Sequence, residues 1–299
     1  MRIFFLLTII FHFPLFFLGQ IKGSDILYEN KINKHHPSRN NADSLPLHAE
    51  KNIDLSNLHL PKTERKEIVI HHTGFSLSYN EAHEQANWVA YELSEEKTKK
   101  VFGRTNKFMP DPLVKTKTAN DKDYVRSGYD RGHLAPAADM GWSAATMAES
   151  FYFSNISPQV PAFNQGIWKH LEEQVRQWAV DNKVIYIVTG PVLSKNLPTI
   201  GSSKVSVPDF YYKVILDYSE PNIQAIGFIM KNAGSMESIK MFAVSVDSVE
   251  IFTGIDFFPA LPDEQEDIIE GKLCVECWSW NEKKSGQTRR KKTKLKYVY

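Results

Sequence analysis

The segment SGYDRGHLAPAADM, residues 127–140, places a carboxylate, a guanidinium and an imidazole within four positions, as Asp130, Arg131 and His133. A neutral imidazole accepts a proton near neutral pH, so His133 could activate a water molecule. Arginine binds phosphate oxygens through paired hydrogen bonds. Together these groups predict a site in which water attacks an anionic substrate. A histidine beside a turn is also common in a purely structural role, and the spacing of this segment alone does not decide between the two.

The stretch FYFSNISPQVPAFNQGIWKHLE, residues 151–172, supplies further polar groups and leads into a helix. Apolar residues recur at helical spacing from Ile167 to Ala179, which predicts one amphipathic helix. Asn164 stands at the start of that helix. An asparagine oxygen is a hard ligand suited to Mg²⁺, and asparagine is also a favoured N-cap residue. The spacing leaves both the ligand and the cap open for Asn164.

Other segments predict the elements that must position these side chains. Apolar runs at residues 184–193, 210–218 and 224–232 predict strands, as does a short run at residues 68–70. Apolar spacing over residues 81–93 predicts a helix. Two further predictions are a glycine-broken hairpin at residues 123–134 and a short helix followed by extended chain at residues 245–258. The mixture of elements predicts one α+β domain.

The whole chain of 299 residues has a net charge of +1, so its overall charge excludes no partner. An apolar run after Arg2 predicts a signal peptide over residues 1–23 and a secreted or periplasmic protein; an uncleaved membrane anchor is the alternative. We expect a flexible polar leader at 24–65. The domain is predicted at 66–280 and a basic disordered tail at 281–299. This tail carries eight Lys and Arg residues from position 283 onward, and it either binds nucleic acid or is a solvated terminus.

The chain contains two cysteines, Cys274 and Cys277. In an exported protein a local disulfide is the expected state of such a pair. A zinc site would need further ligands, and the chain has no second cysteine pair. A redox-active pair is the remaining alternative.

The two motif segments together resemble those of the DNA/RNA non-specific endonucleases, the ββα-metal nucleases that are endonuclease G-like. Asp-Arg-Gly-His is followed by Asn-Gln-Gly, with Asn164 placed 31 positions after His133. The resemblance covers residues 74–259. It implies a ββα-metal nuclease fold, in which a central, mostly antiparallel sheet is flanked by helices.

The resemblance also implies roles for the motif residues. His133 is implied to be the general base, and Asn164 the one protein ligand of Mg²⁺, or of Mn²⁺ in its place. Glu172 is implied to steady the waters bound to that ion.

Four more residues receive supporting roles from the same resemblance. Arg104 matches the phosphate-binding arginine of the family, with Arg126 as a competing candidate. Asp130 and Arg131 are implied to orient the site, and Asn155 to support it from the adjoining loop.

The resemblance implies an exported Mg²⁺-dependent endonuclease that cuts DNA and RNA with little sequence specificity and leaves 5′-phosphate ends. Two other classes of function remain open at this point. One is a nucleic-acid-binding protein on an inactive nuclease scaffold, and the other is a phosphodiesterase or phosphatase acting on small molecules.

Overall fold

A computed structural model describes residues 54–63, 66–219 and 222–281. The predicted signal peptide, most of the predicted leader and the basic tail after Asn281 lie outside these residues. Among the helices that are described, none has the length and apolar character needed to cross a bilayer.

The described chain alternates strands and helices. The strands are β1 (Val69–His71), β2 (Ser76–Asn80), β3 (Gln85–Ser94), β4 (Asp130–His133), β5 (Ile156–Gln159), β6 (Val184–Pro191), β7 (Thr199–Ile200), β8 (Val205–Ser206), β9 (Phe210–Asp217), β10 (Gln224–Lys231) and β11 (Ala243–Val244). The α-helices are α1 (Asp121–Tyr124), α2 (Ala144–Glu149), α3 (Trp168–Asp181), α4 (Val246–Thr253) and α5 (Asp263–Gly271). A π-type turn, Phe163–Ile167, precedes α3, and short 3-10 helices lie at Leu55–Asn57, Glu96–Thr98, Phe153–Asn155, Ile239–Phe242 and Val275–Cys277.

The main sheet has seven strands in the order β1-β2-β3-β6-β9-β10-β11, and each neighbouring pair is antiparallel. A separate antiparallel pair, β4–β5, lies between β3 and α3 along the chain. The strands β4 and β5 with the following helix α3 form the expected ββα unit. The prediction of an α+β fold with a central antiparallel sheet is confirmed.

Helices cover both faces of this sheet. Phe228 of β10 stacks on Trp178 of α3, with ring centroids 6.2 Å apart. Its neighbour Gly227 faces Val249 of α4. Because successive strand residues point to opposite faces, α3 and α4 lie on opposite sides of the sheet. The sheet is therefore buried on both faces, and α3 is packed firmly enough to position the residues at its start.

The predicted helix over residues 81–93 is wrong, since this segment forms strand β3 in the middle of the sheet. Both faces of β3 are buried, as shown by Trp88, Val89, Ala90 and Tyr91. A strand buried on both faces lacks the polar alternation that identifies a strand in sequence. Its alanines and valine then match helical spacing by coincidence.

The predicted hairpin at residues 123–134 is also wrong. Asn120 starts the short helix α1 through a capping box with Asp123. Strand β4 pairs instead with β5, so that Gly132 lies opposite Ser157. The partner of β4 is therefore distant in the chain, where local turn signals cannot indicate it.

Two chain segments flank the predicted domain core. Residues 54–63 fall within the predicted flexible leader, yet they pack on the domain: Leu58 is fully buried and Lys62 pairs with Asp256 at 2.7 Å.

At the other end, Cys274 and Cys277 form the predicted disulfide. The segment that follows the disulfide packs Trp278 and Trp280 onto Trp178 of α3.

Candidate active site

The strand pair β4–β5 approaches so closely that one position admits only glycine. A β-carbon at Gly132 would come 2.2 Å from the side chain of Gln159, which is itself fully buried. This distance is shorter than real β-carbon contacts, so a side chain at 132 would have to displace the buried side chain of Gln159. The glycine of the motif therefore sets the position of His133, which is the next residue.

Asn155 fixes the backbone immediately after His133. Its amide oxygen accepts a hydrogen bond from the Ala135 N–H at 2.8 Å, and its amide nitrogen donates to the Ala135 carbonyl at 2.9 Å and to the Ser150 carbonyl at 2.8 Å. The side chain is fully buried. Asn155 thus holds the backbone next to His133 from inside the protein.

His133 lies between two aromatic rings and is only 7% exposed. Its ring centroid is 4.8 Å from that of Phe151 and 5.6 Å from that of Phe108. The ring makes a hydrogen bond to the backbone of Arg131, while its Nε2 has no hydrogen-bond partner in the described chain. That bond therefore uses Nδ1, and an Nδ1–H donor leaves the Nε2 lone pair available to accept a proton.

Burial lowers the pKa of His133 to about 3, and the positive charge of Arg104 acts in the same direction. We therefore expect the imidazole to remain neutral from pH 8 to pH 5. NMR of the His133 ring, assigned by comparison with a His133→Asn variant, should show no titration in this range; a midpoint near 6.5 would contradict the expectation.

Because the unfolded chain binds this proton at higher pH than the folded chain, His133 should also lower the stability of the fold as pH falls from 6.5 toward 3.

Asn164 lies in the π-type turn before α3, and its side chain does not cap the helix. Its Nδ2 donates to Asp130 Oδ2 at 2.9 Å, and Gln165 Nε2 donates to the same oxygen at 2.8 Å. The turn is kinked at Gly166, whose φ of −105° and ψ of −114° are not helical. Since the amide nitrogen is held by Asp130, the amide oxygen of Asn164 points away from that carboxylate.

A cleft of about 310 Å³ joins these groups. It is lined by Arg104, Asn106, Phe108, Asp130, Arg131 and Asn164. His133 is not among the lining residues, but its ring contacts that of Phe108, which is. The structure thus places the predicted metal ligand and the predicted arginine in one cleft, with the predicted base packed against one of its lining residues.

Two arginines bring positive charge to the cleft. Arg104 lies over the ring of Phe151, 5.1 Å from its centroid, and its Nε donates to Asn106 Oδ1 at 2.7 Å. Arg131 lies 4.3 Å from the centroid of Phe108 and pairs with Asp121 outside the cleft. Arg126, the competing candidate, is not among the lining residues and lies in a turn at a φ of +58°.

Glu172 lies about one turn into α3, where its carboxyl group interacts electrostatically with Arg104. Burial raises its pKa above the usual range, and the ammonium of Lys213 opposes that shift. Lys213 is fully buried on β9, with its Nζ 4.9 Å from the centroid of the Trp168 ring. Lys213 was not predicted from the sequence, although a lysine within the largely apolar strand FYYKVILDY was a signal for it.

Asp139 belongs to the same buried charge group. Its carboxylate accepts from the Tyr91 hydroxyl at 2.8 Å and from Arg176 at 2.7 Å. Asp139 and Arg176 therefore balance each other, and Lys213 is left to balance Glu172. Lys213 therefore opposes the effect of burial without cancelling it, and the pKa of Glu172 stays above its usual range.

The donors at the cleft fit a hydrated divalent cation. The Asn164 amide oxygen is oriented by Asp130, and the carboxyl group of Glu172 interacts with Arg104 of the cleft lining. With few direct protein ligands, a cation here would keep most of its waters, as Mg²⁺ tends to do.

Comparisons with known proteins agree with this geometry. The model of a family described as DNA/RNA non-specific endonuclease matches residues 54–264. The mitochondrial nuclease EXOG of Danio rerio is 37% identical over 214 residues, which is 65% of this chain and 62% of that protein. Human mitochondrial endonuclease G is 34% identical, covering 62% of this chain and 67% of that protein, and a nuclease of Nostoc sp. is 32% identical, covering 67% and 76%. The chain spans about three fifths of the length of the EXOG relatives that it matches.

A solved structure of similar fold is that of the EndoG/EndoGI complex, which concerns inhibition of EndoG. It matches with a TM-score of 0.63 and 30% sequence identity, over 69% of this chain and 90% of the matched chain. The match supports the antiparallel sheet and the ββα unit described above.

Proposed function

Because this chain belongs to the DNA/RNA non-specific endonuclease family, we propose that it is an exported, Mg²⁺-dependent endonuclease that hydrolyses phosphodiester bonds in DNA and RNA. The observation that carries this proposal is the contact between Asp130 and Asn164 in the cleft that Arg104 lines and His133 adjoins. Mn²⁺ is the alternative cofactor.

His133 is the general base in this proposal. Its neutral Nε2 removes the proton from a water molecule that attacks the phosphorus atom opposite the 3′ oxygen. The bond from phosphorus to the 3′ oxygen then breaks; the 3′ oxygen takes a proton from solvent and leaves as a hydroxyl, and the phosphate remains on the 5′ end of the product. General base catalysis of this kind contributes about 10²–10⁴ in rate.

The remaining cleft residues bind and orient the phosphate. Arg104 and Arg131 offset the negative charge that gathers on the phosphate oxygens in the transition state. Asp130 holds the amide of Asn164, whose oxygen would bind the cation, and Glu172 would orient waters on such a cation. A bound Mg²⁺ would supply Lewis-acid stabilisation of the phosphate and of the leaving oxygen.

In this proposal the cleft contacts phosphate groups and not the edges of the bases, and the enzyme therefore has low sequence specificity. Arginine side chains and a cation contact groups that every nucleotide carries. No step in the proposed reaction uses the 2′-hydroxyl, so both DNA and RNA are substrates.

Digestion of supercoiled plasmid and of single-stranded RNA by the purified full chain tests this function. We expect both to be cut in Mg²⁺, spared in EDTA and cut again when Mg²⁺ is restored. Product ends should accept a kinase label only after phosphatase treatment, as 5′-phosphates do. Binding without cleavage would favour an inactive scaffold, and hydrolysis confined to small phosphodiesters would favour the third class of function.

Export rests on the apolar run that follows Arg2 and remains part of the proposal. The EXOG and endonuclease G relatives carry the word mitochondrial in their names, so the destination needs a direct measurement. N-terminal sequencing of the protein recovered outside the producing cell should begin near residue 24. Retention of the protein in an organelle would contradict export.

We further propose that the basic tail attracts nucleic acid. Deleting residues 283–299 removes eight positive charges, and every phosphate that the tail no longer neutralises should reduce the slope of log K against log salt by about 0.9. The slope for duplex DNA should therefore flatten by as much as about 7. The affinity of the full and truncated chains, measured over a range of salt, checks this. An unchanged slope would leave the tail as a solvated terminus.

A further inference from the structure

A second group of acidic side chains lies away from the cleft, between α4 and α5. Asp247 and Glu250 are three residues apart on α4 and so share one face of it. Glu270 reaches them from the last turn of α5. One carboxylate oxygen from each of the three lies within 4.8 Å of the other two.

Of the three carboxylates, Glu270 is the one whose surroundings indicate a bound ligand. It is only 5% exposed, and its Oε1 is buried without a hydrogen-bond partner among the described residues. A negative charge at the C-terminal end of a helix is also disfavoured by the helix dipole. A buried carboxylate in this position requires either a proton or a cation to balance it.

We propose that Asp247, Glu250 and Glu270 bind one Ca²⁺ ion, which links α4 to α5. All the donors are oxygens, as a hard cation prefers. Oxygen separations within 4.8 Å allow all three groups to reach one ion. Ca²⁺ accepts several carboxylates in a flexible geometry, whereas Mg²⁺ demands near-ideal octahedral geometry and usually keeps several waters, so a site of three carboxylates fits Ca²⁺ better.

The surroundings supply little positive charge to replace such an ion. Lys62 pairs with Asp256 at the edge of the cluster. Glu250 accepts the Phe257 N–H with one oxygen, which leaves its second oxygen for the ion. Burial raises the pKa of Glu270 to about 10, and the neighbouring carboxylates Glu250 and Glu266 act in the same direction. A bound divalent cation would relieve this repulsion and stabilise the packing of α4 and α5 on β10.

The site is separate from the proposed nuclease centre. None of the three carboxylates is among the residues that line the cleft of Arg104 and Asn164. Loss of Ca²⁺ binding and loss of nuclease activity can therefore be measured independently.

The test is thermal unfolding of the full chain, freed of metal with EDTA and then titrated with CaCl₂ or MgCl₂. An Asn164→Ala background prevents binding at the nuclease centre from contributing. We expect Ca²⁺ at a hundredfold excess over its dissociation constant to raise Tm by about 5–10 °C. Mg²⁺ should have a smaller effect. Equilibrium dialysis of ⁴⁵Ca²⁺ should give one bound ion per chain.

The Asp247→Asn/Glu270→Gln variant should lose both the Tm shift and the bound ion. Glu264→Gln, which changes an exposed acid on the same helix, should keep both. The neutral variant is expected to fold, because removing two crowded charges relieves repulsion. Either a Ca²⁺ shift retained by Asp247→Asn/Glu270→Gln or the lack of any shift in the Asn164→Ala chain would overturn the proposal. If the neutral variant has a higher Tm than its parent in the absence of metal, and Ca²⁺ does not change the Tm of the parent, then protons balance the negative charge of the cluster.

Discussion

Replacing His133 with alanine will lower the rate of plasmid nicking in Mg²⁺ by about 10²–10⁴. The imidazole is held by the Arg131 backbone with its Nε2 unpaired, and no other neutral base adjoins the cleft among the described residues. Without it, water must attack the phosphate without losing its proton to the protein. Initial rates at saturating plasmid measure the effect.

The His133→Ala change also removes a ring that packs between Phe108 and Phe151, so folding must be checked by thermal unfolding. His133→Asn is a second variant that retains a polar side chain and should be similarly inactive. His170→Ala is the matched control, since His170 is exposed on α3 and its replacement should leave cleavage at the normal rate. Undiminished nicking by a folded His133 variant would remove this residue from the mechanism.

Replacing Asn164 with alanine will raise the Mg²⁺ concentration needed for half-maximal cleavage by at least about 10–100-fold. That range is typical for groups that only support a metal ligand, and a direct ligand should cost no less. The amide of Asn164 is oriented by Asp130, and the alanine leaves that carboxylate without one of its two amide donors. Initial rates over a Mg²⁺ titration provide the measurement.

Gln165→Ala is the control for the Asn164 variant. It removes the other hydrogen bond to Asp130 and keeps the proposed ligand, so its Mg²⁺ dependence should stay near that of the parent chain. A Mg²⁺ dependence that is the same in the parent and in Asn164→Ala would exclude Asn164 as a ligand.

Much of the fold was predictable wherever one face of an element meets solvent. The stripe from Ile167 to Ala179 predicted α3, because its outer face carries charges that reveal the helical period. Strand β3 was mistaken for a helix because both of its faces are buried. The pairing of β4 with β5 was missed because their contact depends on chain segments far apart in sequence.

In the candidate site, too, the features carried by local sequence were predictable and those that depend on distant contacts were not. The motif predicted which residue types gather, and the structure places Arg104, Asp130, Arg131 and Asn164 around one cleft. The roles of Lys213 and Asp139 were not predictable, because their contacts come from strands and helices brought together only by the fold. Nor does helical spacing reveal the π-type turn that aims Asn164 at Asp130.

The most direct test of whether base and cation act at one phosphate is a comparison of plasmid cleavage rates. The rates of the parent chain, His133→Ala, Asn164→Ala and the His133→Ala/Asn164→Ala double variant are measured at one Mg²⁺ concentration. Groups that act as a unit are strongly non-additive, so the double variant should be about as slow as His133→Ala alone. If the two losses multiply in full, His133 and Asn164 contribute independently, and a common catalytic centre is contradicted.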